Sequence, residues 1–273
     1  MLTARDRRAE FTQESVEALG TVSPHQQWGV KTADCLEAQT HGGVSLHMTL
    51  SQAELTRKVY GRVILVVTGL CAILFIPAGT LAYWEAWIYL GILLIPMFLV
   101  FRYLLKNSPQ LLERRMQMRE REEPQKRIMK FSLLFFLVAY MLPGFDRRWE
   151  WSDVPPPVVI ASDLLVMLGY GIIFLVLREN QYASRIVQVE QGQKVISTGP
   201  YAYVRHPMYL GAILMYLASP LALGSYWALL PAVLIIPILV ARIVNEEKLL
   251  ESELRGYREY SQVTRYRLLP GIW

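Results

Sequence analysis

Residues 207–243 read PMYLGAILMYLASPLALGSYWALLPAVLIIPILVARI, with no charge before Arg242. As one straight helix, at about 1.5 Å per residue, this run would reach roughly 55 Å. A hydrocarbon core is only about 30 Å thick. Ser219-Pro220 and Gly224-Ser225 lie near its middle, where proline and glycine interrupt helices. The run is therefore expected to fold back as a helical hairpin, with both ends on one side of a membrane.

Upstream, apolar runs recur at 59–81, 84–105, 128–142 and 158–177. They are apolar on every side rather than striped, which is the pattern of helices in lipid. Hydrophobic residues make up 53% of the chain, and mean hydropathy is +0.26. The expected fold is all-α: a multi-pass helical integral membrane protein of five hydrophobic units, the last being the hairpin. Three regions follow: a polar extension over 1–47, N-terminal transmembrane helices over 48–157, and a transmembrane region with a polar segment over 158–273. The extension contains no apolar core of a signal peptide, and reads as disordered or additional to the native start.

Charge orients the chain. The link 106–130 carries Lys106, Arg114, Arg115, Arg119, Arg121, Lys126, Arg127 and Lys130, so it belongs on the cytoplasmic side. The stretch 145–157 offsets Arg147 and Arg148 with Asp146, Glu150 and Asp153, and its tryptophans suit the outer interface. Arg185, Lys194 and Arg205 then fall inside again. The net charge of +5 fits this pattern and attraction to anionic lipid, and requires no nucleic-acid partner.

Cys35 and Cys71 give no disulfide framework. His25, Cys35, His41 and His47 are spaced too widely for a zinc motif, so no metal is expected. No glycine-rich phosphate loop follows a strand, which excludes a Rossmann domain. Gly169-Tyr170-Gly171, inside the fourth run, reads as a site of close helix packing.

Polar chemistry gathers in two places. One is 188–211, which holds His206, the only histidine beyond the extension. The other is 242–251, where Arg242 and Glu246 stand at i and i+4 on one helix face, with Glu247 about 100° round. Charged and ring-bearing groups at the edge of lipid are costly unless partnered. The hairpin should bring Arg205, His206 and Tyr209 beside Arg242 and Glu246. His206 could be a wall of a binding pocket, or an imidazole satisfied by a backbone carbonyl at a helix start. Pro207 fits the first turn of that helix either way.

Gly199-Pro200-Tyr201, Arg205-His206-Pro207-Met208-Tyr209-Leu210-Gly211, Glu246-Glu247, Gly256-Tyr257, Tyr260 and Pro270-Gly271 together resemble the isoprenylcysteine carboxyl methyltransferase family, to which the phospholipid N-methyltransferases are related. The resemblance implies an integral membrane enzyme using S-adenosyl-L-methionine. It places a cofactor pocket on the cytoplasmic C-terminal side, built from Gln188, Gln193, Lys194, Val195, Ile196, Tyr201, Arg205, His206, Pro207, Met208 and Glu246. Eukaryotic members carry a histidine where Gln193 stands. Arg242 matches an arginine that contacts the substrate, which makes Arg242 and Glu246 the expected catalytic pair.

The residue types suit that ligand. A sulfonium, an ammonium and a carboxylate ask for an acid, a cation and ring faces. Glu246 can take the ammonium, and Arg205 or His206 the carboxylate. A lipid-attached or prenylated acceptor bearing a carboxylate needs only orientation, by Arg242. An amine acceptor needs a base, for which Glu246 or Glu247 is available. A membrane reductase of the sterol reductase type, using NADPH, is the alternative from another class.

Overall fold

The computed structural model describes residues 52–116, 123–183, 189 and 192–273. The extension 1–47 and the expected cofactor residue Gln188 lie outside them. The described residues form eight α-helices and one 3-10 turn, with no strand among them. In chain order they are α1 (Gln52–Ala78), α2 (Trp84–Asn107), α3 (Pro109–Met116), α4 (Glu123–Trp149), α5 (Pro156–Glu179), the 3-10 turn Gly199–Ala202, α6 (Pro207–Ala222), α7 (Leu229–Glu253) and α8 (Tyr257–Val263).

Four of these, Ala53–Ala78 within α1, then α2, α5 and α7, are long and apolar enough to cross a membrane, and α6 is a shorter apolar helix. Their outward faces are themselves apolar: Ile64, Leu65, Ile95, Leu164 and Leu230 are each more than half exposed. Such surfaces are stable in lipid and not in water. The chain is a helical integral membrane protein.

The hairpin forms, but its turn falls later than proline alone would place it. Pro220 is inside α6, and the chain reverses over 223–228. Gly224, at φ +71°, supplies the left-handed residue of that turn. The Tyr83 hydroxyl donates to the Leu223 carbonyl at 2.6 Å, and Ser225 donates to the buried carboxylate of Asp146. The turn is thus held from both the α1–α2 connection and the end of α4.

The third hydrophobic unit also runs past its expected stop at residue 142. Pro143-Gly144 looks like a helix breaker, yet α4 continues to Trp149. A Cβ on Gly144 would lie 2.6 Å from the Leu74 carbonyl oxygen and 2.9 Å from Pro77. Glycine there lets α4 cross α1 at backbone contact, and the proline removes only one amide donor.

Deeper in the bundle, Tyr89 lies 2.6 Å from the Tyr140 hydroxyl and 2.8 Å from Ser219 Oγ. This hydroxyl cluster ties α2, α4 and α6 together where no water is available to satisfy them.

A second close crossing joins α5 to α6. A Cβ on Gly169 would lie 2.7 Å from the Gly211 carbonyl oxygen, and one on Gly211 would lie 2.7 Å from that of Gly169. Gly171, in contrast, faces open space, so the packing role of the Gly-Tyr-Gly triplet belongs to Gly169 alone. Gly169→Ala should therefore cost about 1–3 kcal/mol of stability through overpacking, whereas Gly171→Ala should not destabilise. Thermal melting of the two variants in detergent measures the contrast, and equal melting temperatures would show that the crossing tolerates a methyl group.

Candidate active site

The polar stretch before α6 is folded as a loop. Gly199 opens the 3-10 turn at φ +58°, and a Cβ there would press on the Glu179 side chain, with Cγ, Cδ and Oε2 at 3.1–3.2 Å. Thr198 donates its hydroxyl to that carboxylate. The turn delivers Tyr201 against α5, where its hydroxyl accepts from Asn180 Nδ2 at 2.8 Å. The Tyr201 carbonyl in turn accepts from the Tyr260 hydroxyl at 2.8 Å. Burial holds the Tyr201 phenol above its ordinary range and pushes Tyr260 up to about 12. Both remain neutral at physiological pH.

His206 is the N-cap of α6 and Pro207 occupies its first turn. The backbone amides of Arg205 and His206 donate to the carbonyls of Tyr266 and Arg267 at 2.9 Å each. This docks the C-terminal tail beside the start of α6. The side chains then converge on Glu247, a buried carboxylate. Arg205 Nε donates to its Oε1 at 2.7 Å, Arg267 Nε to its Oε2 at 2.6 Å, and His206 Nε2 lies 3.2 Å from Oε1. A carboxylate only accepts, so Nε2 carries the proton. Arg205 Nη1 also donates to the carbonyls of Thr264 and Arg265, at 3.0 and 2.8 Å. The partner of His206 is therefore a carboxylate rather than a backbone carbonyl.

Glu246, one residue earlier, faces another way. Its Oε2 accepts from the Tyr209 hydroxyl at 2.6 Å, and that hydroxyl accepts from Arg242 Nε at 2.9 Å. The expected meeting of the two ends of the hairpin is present, with Tyr209 as the bridge between Arg242 and Glu246. Glu247 does not line the cavity described next, and its bonds to Arg205, Arg267 and His206 remove it from the role of a base considered above.

A cavity of about 490 Å³ opens at this end of the bundle. Of the residues expected at the cofactor, Gln193, Lys194, Val195, Ile196, Tyr201, Arg205, His206, Pro207, Met208 and Glu246 all line it, as does Arg242. Sequence reasoning missed Arg115, Asn180 and Tyr182 on the same wall. It quoted Tyr257 and Tyr260 without giving them a place in the pocket, and both line it. The Tyr257 hydroxyl is buried with no hydrogen-bond partner, an arrangement that costs about 1–3 kcal/mol unless a ligand or water supplies one. Among the described residues, no group of three or more His, Cys, Asp or Glu could hold a metal ion.

A second cavity of about 470 Å³ lies within the apolar part of the bundle, between α1, α2, α4, α5 and α6. Phe136, Ala212 and Tyr216 line both cavities. A charged site and an apolar chamber thus share one wall.

No curated protein matches the chain. A family model described as phospholipid methyltransferase matches residues 158–255, the segment that carries Tyr201, the start of α6, Arg242 and Glu246. That family includes the isoprenylcysteine carboxyl methyltransferases, and the match favours methyl transfer over the reductase alternative. Over this segment the chain is similar to the phospholipid methyltransferase family, and with its apolar helices the match supports a membrane methyltransferase.

Proposed function

We propose that this protein methylates a carboxylate on a lipid-attached or otherwise hydrophobic acceptor, such as the C-terminal carboxyl of an isoprenylcysteine, with S-adenosyl-L-methionine as donor. The observation that carries this reading is the Arg242–Tyr209–Glu246 chain on the wall of a polar cavity that adjoins an apolar one.

The residues present fit the cofactor. Members of this family generally use S-adenosylmethionine. The cavity offers an acid in Glu246, cations in Arg115 and Arg242, ring faces from Tyr201 and Tyr260, and the partnerless Tyr257 hydroxyl. Its volume suits a ligand of that size. When bound, S-adenosylmethionine supplies a sulfonium methyl that a nucleophile can displace in line.

The protein's own part is then positioning and charge. Glu246 would hold the ammonium. Gln193, Lys194, Val195, Ile196, Pro207 and Met208 would complete the walls, beside Arg205 and His206. An acceptor carboxylate is already ionised at neutral pH, so it needs a fixed orientation and no base. Arg242 would provide this through its guanidinium, held in place by Tyr209. The acceptor's hydrocarbon would occupy the apolar cavity and reach it between the helices. The positive charges of the 106–130 link support placing the active site on the cytoplasmic face.

An amine acceptor is the second reading. The Glu246 carboxylate on the cavity wall could receive the proton that an ammonium must lose. Transfer of labelled methyl to a panel of a farnesylcysteine analogue, phosphatidylethanolamine and extracted native lipids separates the two. The carboxylate reading expects base-labile label on the farnesylcysteine analogue, and label only on phosphatidylethanolamine would overturn it.

The two adjacent acids should also separate in variants. Glu246→Gln should weaken S-adenosylhomocysteine binding about tenfold or more, by loss of a charge-assisted contact, and leave melting nearly unchanged. Glu247→Gln should instead lower stability by about 3–5 kcal/mol, because it strands buried cations. Arg242→Gln should lower kcat/KM for the acceptor about 100-fold and leave homocysteine-adduct affinity within about twofold. Calorimetry, thermal melting and initial rates on the three purified variants check these outcomes.

A further inference from the structure

The residues that line the apolar cavity fix its height. On α1 they run from Val66 to Ile73, which is roughly 10 Å at about 1.5 Å per residue. One end is the wall shared with the charged cavity, through Phe136 of α4 and Ala212 and Tyr216 of α6. Tyr140, one turn after Phe136, lines the apolar cavity and not the charged one. The Phe136 and Tyr140 rings lie 4.4 Å apart between centroids, at 33°, and form one continuous aromatic side.

The chamber stops at Tyr140. Its hydroxyl lies 2.6 Å from that of Tyr89 and donates to Ser219 Oγ at 3.3 Å, which holds the ring between α2 and α6. Past this level the helices close on one another. Leu74, next to Ile73, and Tyr89, one turn from Leu93, are each 0% exposed, and Ser219, one turn from Met215, is 2% exposed.

Gly69 has the opposite part. It stands between Val66 and Ile73 on the cavity wall, and a Cβ on it would meet nothing within 4 Å. Gly144, Gly169 and Gly211 each let the backbone of another helix come close, and Gly69 does not. A glycine inside a helix weakens it, so the room left at Gly69 is kept at a cost to α1.

A chamber walled by aliphatic and aromatic groups takes hydrocarbon. Its shared wall places that hydrocarbon beside Arg242, Tyr209 and Glu246 of the charged cavity. We propose that Gly69 and Tyr140 set the length of chain the acceptor carries: Gly69 keeps the chamber open, and the Tyr140 ring is the floor against which the chain ends. This rests on the acceptor reading above. Both residues lie outside the matched residues 158–255, so they select the acceptor without touching the cofactor.

Initial rates of labelled methyl transfer by the full chain in detergent test this with N-acetyl-S-butylcysteine and N-acetyl-S-dodecylcysteine, and with butylamine and dodecylamine in parallel. The ratio of variant to wild type cancels the partition of each probe into micelles. Gly69→Leu should lower kcat/KM about tenfold or more for the dodecyl probe and less than about threefold for the butyl one. Its melting temperature should be unchanged or raised, because leucine favours the helix, and its affinity for S-adenosylhomocysteine should be unchanged. Tyr140→Leu should raise the rate on N-acetyl-S-hexadecylcysteine relative to the dodecyl probe by about fivefold, whereas Tyr140→Phe, which keeps the ring, should leave that ratio at its wild-type value. Equal loss for the butyl and dodecyl probes in Gly69→Leu, or no loss for either, would overturn the inference. A hexadecyl-to-dodecyl ratio that moves alike in both Tyr140 variants would remove Tyr140 as the floor. Transfer to the amines alone, with the length-dependent loss retained, would support the inference and overturn the carboxylate reading. Transfer to none of the probes, with S-adenosylhomocysteine bound, would overturn both.

Discussion

Glu247 sits at 4% exposure near the end of a helix whose first half is apolar. A carboxylate in that position is stable only if its desolvation is offset by close cations and hydrogen bonds. Arg205, His206 and Arg267 provide them, and each comes from a different part of the chain from Glu247 itself. One buried charge therefore fixes the start of α6, the end of α7 and the C-terminal tail relative to one another. The orientation of its neighbour follows from this: with Glu247 turned into the cluster, helical geometry rotates Glu246 by about 100°, toward Tyr209 and the cavity.

The opposite end of the hairpin obeys the same rule with a different acid. Asp146, at 1% exposure, accepts from the Ser152 amide at 2.7 Å, from the Ser152 hydroxyl at 2.7 Å and from Ser225. Those bonds hold the 223–228 turn against the end of α4. Both ends of the α6–α7 hairpin are thus pinned by buried carboxylates, one among cations and one among hydroxyl and amide donors. Between them, contact is made by small residues and hydroxyl groups, Gly169 against Gly211 and Tyr89 with Tyr140 and Ser219. In lipid there is little hydrophobic drive between helices, so close backbone approach and polar contacts must hold the bundle.

This division explains what the amino-acid sequence disclosed. Apolar length was legible because a bilayer imposes a minimum run, and the 207–243 run was too long to be anything but a hairpin. The meeting of Arg242, Glu246 and Tyr209 was legible for the same reason, since a hairpin returns its end to its start. The separate roles of Glu246 and Glu247 were not, because two adjacent identical side chains differ only in which way the helix faces. The extent of α4 past Pro143-Gly144 was not legible for a related reason: local breakers mark a stop only when no neighbouring helix uses the glycine for contact. Arg115 carried no local signal at all. It reads as one positive charge among eight in its link, and its place over the pocket depends on Leu111 and Leu112 finding α1, α2 and α5.

The boundary of the family match has a physical counterpart in the two cavities. Residues 158–255 supply much of the wall of the charged one. The apolar one is closed largely from outside that segment, by Val66, Leu70 and Ile73 of α1, Leu93 and Met97 of α2, and Phe136 and Tyr140 of α4. Under the proposed reading, a shared donor constrains the first set of residues, since sulfonium, ammonium and carboxylate demand the same partners whatever is methylated. The acceptor's hydrocarbon constrains only the second, and an apolar wall discriminates weakly, by about 1–3 kcal/mol per methylene gained or lost. Under the proposed reading, the choice of acceptor therefore lies in the shape of α1, α2 and α4, and a family pattern confined to α5–α7 fixes the chemistry without fixing the substrate.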